Sequence, residues 1–191
     1  MHTQELFYKI TINCYYDMTM EEIDIKQKGE PVLEKKAIAV QLDQMKSSDV
    51  QQIIKDMKAT LHNTDDGVAI AAPQIGKSVR IFIIRGSVLG DRADVDNQDK
   101  IFINPEIIST SRNTEIVDEG CLSVRDIYGK IKRSTQATVR AFDEEGNEFE
   151  MGGSGLIAQI FQHETDHLDG ILFTDKATDL KKITHTNDNE E

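Results

Sequence analysis

The chain has 191 residues, 38% of them apolar and 29% charged, which suits one soluble domain with a sizeable core and is short for two. Twenty-two basic against 34 acidic residues leave a net charge of −12, which disfavours a phosphate backbone as a direct ligand. No apolar run is long enough to span a bilayer, and Cys14 and Cys121 are too far apart in sequence to suggest a disulfide framework, so a reducing compartment and no membrane are expected.

Residues 1–20 read as an N-terminal extension of unknown role, in which Glu5 and Lys9 interrupt any signal-peptide pattern. A Gly29-Glu30-Pro31 turn follows. Ser48 is a plausible N-cap for a helix over residues 48–62, where Val50, Ile53, Ile54, Met57 and Leu61 recur at helical spacing. The β-branched run over 79–84 predicts a strand, and residues 86–100 read as a polar loop. Short strands are predicted over 101–103, 107–108, 115–117, 127–131, 137–142 and 148–151, the last two joined by a turn at 144–147. The basic stretch Lys130-Ile131-Lys132-Arg133 reads as a solvated strand. Residues 152–155 break the strand pattern. Ser154 can cap a second helix running to Leu168, with an apolar stripe of Leu156, Ile157, Ile160, Phe161 and Leu168. Residues 171–173 could add a last strand, and 176–191 read as a polar, frayed tail. With no repeats and no linker, the expectation is a single α+β domain over residues 21–175.

The second helix carries the strongest chemical signal, His163-Glu164-Thr165-Asp166-His167. Residues four apart share a helix face, so two imidazoles there can bind one metal, with Glu164 beside them as acid/base. Cys121, in Glu119-Gly120-Cys121-Leu122-Ser123, supplies a third ligand of suitable softness. Two histidines and one cysteine leave a fourth position open, which is the catalytic rather than the closed structural pattern. The plainer reading of a lone cysteine is a small buried hydrophobe. A third segment, residues 67–76, is dense in small residues and holds one polar side chain, Gln74, whose amide could donate to an oxyanion. Taken alone, such a loop could equally pack tightly on a helix, with Gln74 a solvated turn residue.

Together and in this order, the three segments resemble those of the peptide deformylases: G-x-G-x-A-A-x-Q, then E-G-C-x-S, then H-E-x-D-H. The matching residues are Gly67, Ala71, Ala72 and Gln74; Glu119, Gly120, Cys121 and Ser123; and His163, Glu164, Asp166 and His167. The resemblance implies an α+β fold with antiparallel strands around a central helix that bears the motif. It implies Fe2+ bound by Cys121, His163 and His167, replaceable by Ni2+, Co2+ or Zn2+, and removal of the formyl group from N-formylmethionyl nascent peptides in the cytoplasm. Glu164 would be the general acid/base, and Gln74 and the backbone N–H of Leu122 would hold the oxyanion. Val68, Leu156 and Ile160 would form the methionine pocket. Gly67, Ala69, Ile70, Glu119 and Gly120 would complete the substrate site, with backbone around Ala69 and Ile70 pairing with the peptide. A weak ribosome contact is also implied. The chain departs from the pattern at Ala69, where the family usually has a second glycine, and at Arg125, where many members have proline. A catalytically silent binder of peptide N-termini would not need Glu164, and the segment around Cys121 disfavours an H-E-x-x-H endopeptidase.

Overall fold

Residues 81–84 read Ile-Phe-Ile-Ile, an unbroken apolar run that a strand holds comfortably only when both its faces are covered. A computed structural model, which describes residues 23–90 and 98–183, shows why both are. The run is strand β2 (Ile81–Ile84), the second strand of a five-stranded antiparallel sheet. Its neighbours are β1 (Ala69–Ala71), β3 (Lys100–Thr110), β6 (Gln136–Phe142) and β7 (Glu148–Ser154), in the order β1-β2-β3-β6-β7. Helix α1 (Ser48–His62) covers one face and helix α3 (Leu156–Leu168) the other. Strand parity sorts the side chains. Ile70, Ile81, Ile83, Ile101 and Ile103 pack with Ile54, Met57 and Leu61 of α1. Ala69, Ala71, Phe82, Ile84 and Phe102 pack with Ile157, Ile160 and Phe161 of α3.

A second sheet, ordered β4-β5-β8, comprises β4 (Thr114–Cys121), β5 (Val124–Ser134) and β8 (Thr178–Lys182). Beneath it Leu33, Val124, Ile131, Leu172 and Phe173 form a smaller core. Gln162 ties α3 to this sheet, taking the N–H of Ser134 on its Oε1 and donating Nε2 to the Ser134 carbonyl. The arrangement is the expected one, an α+β fold with antiparallel strands around the motif-bearing helix.

Several local expectations are corrected. Residues 101–103 and 107–108 belong to one strand, β3, which bends at the Asn104-Pro105 step; proline cannot donate to the ladder, and the register breaks between Ile103 and Glu106. The supposed loop after Arg85 opens with a single helical turn, α2 (Gly86–Leu89). β7 continues through Gly152 and Gly153, and α3 begins behind Gly155 at φ 57°, a conformation suited to glycine, rather than behind Ser154. Ser47, not Ser48, caps α1, its side chain accepting the Val50 N–H. Residues 173–175 form a 3-10 turn, not a strand.

The polar tail is corrected as well. Residues 178–182 add β8 to the edge of β5, with Tyr128 opposite Lys181 and Lys130 opposite Thr178, and this carries the fold past residue 175. The strand lacks an apolar alternation because it is an exposed edge with no buried face; Leu180, itself half exposed, lies over Gly129, with its Cδ2 2.7 Å from where a Cβ there would sit. The N-terminal extension over 1–20, including Cys14, and residues 184–191 of the tail lie outside the described residues.

Candidate active site

The site forms where α3 faces the turn between β4 and β5. Positions 163 and 167 lie one helical turn apart, so both imidazoles leave α3 on one side, their ring centroids 4.8 Å apart. Cys121 closes β4 and places its Sγ 3.1 Å from His167 Nε2. One ligand atom from each of Cys121, His163 and His167 lies within 4.8 Å of the other two. His167 is fully buried and Cys121 partly so.

The donor chemistry of this trio fits a divalent transition metal. Burial alone would push the Cys121 thiol up, but His167 and His163 beside it outweigh burial and bring it down to about 5, so the thiolate is the resting form. Glu119 accepts from His163 Nδ1 at 2.6 Å, which leaves Nε2 of that ring for a ligand. Burial would raise Glu119 too, yet His163 and Arg133 hold its carboxyl down at about 2, so it only accepts and Nδ1 carries the proton. His163 is raised well above the ordinary imidazole range: burial opposes its charge, but hydrogen bonds with Cys121 and Glu119 prevail.

Arg133 organises the region behind the ligands. Its Nε and Nη2 donate to both oxygens of Glu119 at 3.1 and 2.7 Å, and its Nη1 donates to Asp166 at 2.6 Å. Lys176 takes the other Asp166 oxygen at 2.7 Å. The reading of residues 130–133 as a solvated strand therefore holds for Lys130 and Lys132 and fails for Arg133, which is 6% exposed. Strand parity carried the signal: residues 131 and 133 share a face, and Ile131 is core.

Gln74 sits in a 3-10 turn (Ala72–Ile75) directly after β1. It is 2% exposed, not a solvated turn residue. The Ala71 N–H donates to its Oε1 at 2.8 Å, which fixes the amide and aims Nε2 at Ser123 Oγ (3.2 Å) and Cys121 Sγ (3.7 Å). Glu164 is 4% exposed, and its Oε2 has no hydrogen-bond partner among the described residues. Burial raises its carboxyl above the usual range, against the lowering pull of the two histidines.

Gln74, Glu119, Cys121, His163 and Glu164 line a cleft of about 750 Å³. Gly67, Val68, Ala69, Gly120, Leu122, Leu156 and Ile160 line it as well, so the predicted substrate residues converge on one space. The exception is Ile70, whose side chain is fully buried against α1. The density of small residues here also has a packing cause, since Ala69 and Ala71 lie in the core shared with α3. Beyond the predicted set, Arg125, Tyr128, Gln159 and Ile183 reach the same cleft.

The family described as Polypeptide deformylase matches residues 23–183. The chain belongs to the polypeptide deformylase family. Peptide deformylase 2 of Clostridium acetobutylicum is 40% identical over 159 residues, 83% of this chain and 97% of that one. The peptide deformylase of Pseudothermotoga lettingae is 42% identical over 152 residues, 79% of this chain and 80% of its own. Among solved structures, the Met-Ala-Ser-bound class I type b peptide deformylase from Acinetobacter baumannii superposes with a TM-score of 0.73 at 33% identity, covering 83% of this chain and 99% of that one. The family is metal-dependent, and the chain brings together a Cys-His-His trio that could hold a metal ion.

Proposed function

We propose that the chain is a hydrolase that removes the formyl group from N-formylmethionine at the start of new polypeptides, giving formate and a free amine. The observation that carries the reading is a buried carboxylate, Glu164, with an unpartnered oxygen, lining the cleft that Cys121 and His163 of the ligand-type trio also line. A divalent ion held by Cys121 Sγ and the two imidazoles supplies Lewis acidity at that point. We assign it as Fe2+ in the cell, replaceable by Ni2+, Co2+ or Zn2+. Support for a borderline to soft ion comes from the thiolate.

The chain's own residues account for the proton and charge movements. Glu164 takes a proton from the attacking water as the C–O bond forms, and returns it to the amine nitrogen as the C–N bond breaks. Its raised pKa suits both halves of that transfer. Gln74 Nε2, fixed by the Ala71 N–H, donates to the carbonyl oxygen as negative charge develops, and the Leu122 N–H shares that role. Val68, Leu156 and Ile160 receive the methionine side chain. β1 lies at the end of the five-stranded sheet, so its outer edge can pair with the peptide, as an added strand does. That pairing uses backbone, which is compatible with Ile70 turning its side chain into the core.

The partners are formylated nascent chains, with a weak ribosome contact, and the compartment is the cytoplasm; the described residues contain no helix long and apolar enough to cross a membrane. Anaerobic formate release from formyl-Met-Ala-Ser by the Fe2+ or Ni2+ form tests the reading, with acetyl-Met-Ala-Ser as control. Release from the formyl peptide only is expected. Equal turnover of both peptides would contradict it.

A further inference from the structure

The two donors assigned to the oxyanion reach the cleft from different sheets. Gln74 follows β1 of the five-stranded sheet, and Leu122 lies in the turn between β4 and β5 of the three-stranded one. Donors that act on one oxygen must be held to within about 0.5 Å of their working positions.

Residues 26–28 run between the two donor segments. The Lys26 N–H donates to the Gln74 carbonyl at 2.8 Å, and the Lys28 N–H donates to the Ser123 carbonyl at 2.8 Å. Between them, Gln27 Nε2 donates to the Leu122 carbonyl at 3.1 Å and to the Ile25 carbonyl at 3.0 Å, one use for each of its two N–H bonds. Three successive residues thus hold carbonyls of both segments. Side chains extend the grip. Lys26 Cε lies 3.3 Å from where a Cβ at Gly76 would stand, over the end of the Gln74 turn, and Lys28 Nζ donates to Thr174 Oγ1 at 2.9 Å.

We propose that residues 26–28 form a strap that sets the spacing of the two oxyanion donors, with Gln27 a positioning residue that acts through the Leu122 carbonyl. The inference rests on the deformylase reading and on the roles given there to Gln74 and Leu122. Fixing the Leu122 carbonyl limits the tilt of the peptide planes that meet at Leu122, and so fixes the aim of its N–H. The Gln27 side chain is exposed and fills no core, while backbone bonds at 26 and 28 hold the strap whatever side chain stands at 27. Gln27 can therefore be replaced without releasing the fold.

The test compares Gln27→Ala and Gln27→Glu with the wild type in the metallated full chain. Measured on each are kcat and KM for formyl-Met-Ala-Ser, metal content, melting temperature and the absorption spectrum of the Co2+ form. Glu keeps the length of Gln but its carboxylate presents only acceptors to the Leu122 carbonyl. Both variants should lose about fivefold in kcat with KM unchanged, the scale of one net hydrogen bond felt in the transition state. Metal content, Co2+ spectrum and melting temperature should match the wild type, which a loosened fold or a displaced Cys121 would not allow. An unchanged kcat in both variants would overturn the positioning role, as would a loss that appears in KM, in metal content, in the Co2+ spectrum or in the melting temperature. No formate from the wild type would instead strike at the deformylase reading.

Discussion

At the scale of single residues, the site depends on two side chains whose proton affinities are shifted by their surroundings. Two imidazoles outweigh burial and pull the Cys121 thiol down to about 5, and burial pushes the Glu164 carboxyl the other way, above its usual range. In metal-stripped protein, Cys121 should titrate near 5, followed by alkylation rate or thiolate absorbance against pH. A midpoint near the ordinary thiol value of 9.0 would remove the histidines as its neighbours. Cys121→Ser should abolish the thiolate-to-metal charge-transfer band of the Co2+ form; an unchanged spectrum would take Cys121 out of the ligand set.

Arg133 holds a buried charge cluster together. It and Glu119 are 6% and 5% exposed. Arg133→Leu takes the guanidinium from the Glu119 carboxylate, leaving it buried with His163 and Gln159, and should destabilise the fold by about 3–5 kcal/mol in urea denaturation. Adding Glu119→Gln should recover part of that loss, because the buried charge that has lost its guanidinium is gone. A neutral Arg133→Leu variant would contradict the burial of the pair.

At the scale of elements, α3 does two jobs along one length. Its apolar stripe meets Phe82 and Phe102 through Phe161, while the neighbouring face presents His163 and Glu164 to the cleft, with the buried His167 one turn on. Phe161→Ala should lower stability by about 3–5 kcal/mol, measured by thermal or urea unfolding; a loss under about 1 kcal/mol would contradict its place in the core.

This helix was readable in the sequence because a 3.6-residue period and a chemical motif coincide on it. That Cys121, His163 and His167 come together was readable for the same reason: such residue types are few and distinctive. Other features left weaker traces. β8 reads as a polar tail because all its side chains are exposed and backbone pairing with β5, distant in sequence, places it. Arg133 was hidden by its neighbours Lys130 and Lys132, which share its charge but face outward. Ser154 looked like a helix cap, yet the chain turns at Gly155, where φ is positive. In each case tertiary contact or backbone geometry overrode a local preference.

At the scale of the whole molecule, two sheets and α3 bring together residues 67–76, 119–123 and 163–167 from distant parts of the chain. Metal binding should therefore stabilise the entire domain, and removing the ion by chelation should lower the melting temperature; at free ion 100-fold above Kd the linkage is worth about 2.7 kcal/mol. Acid should act through the same centre. Glu119 is held at about 2 against an ordinary 4.5, so its contribution is fully present above 4.5 and is lost as pH falls towards 2. Glu119→Gln should flatten stability across that window, and an unchanged slope would contradict the depressed carboxyl.

The most direct test of the central claim is formate release per bound metal ion from formyl-Met-Ala-Ser, measured side by side for the wild type and Glu164→Gln. The wild type should release formate in proportion to its metal content, and the variant should hold the ion yet turn over about 100-fold more slowly or worse. A fully metallated wild type that releases no formate, or a Glu164→Gln variant as fast as the wild type, would contradict the account.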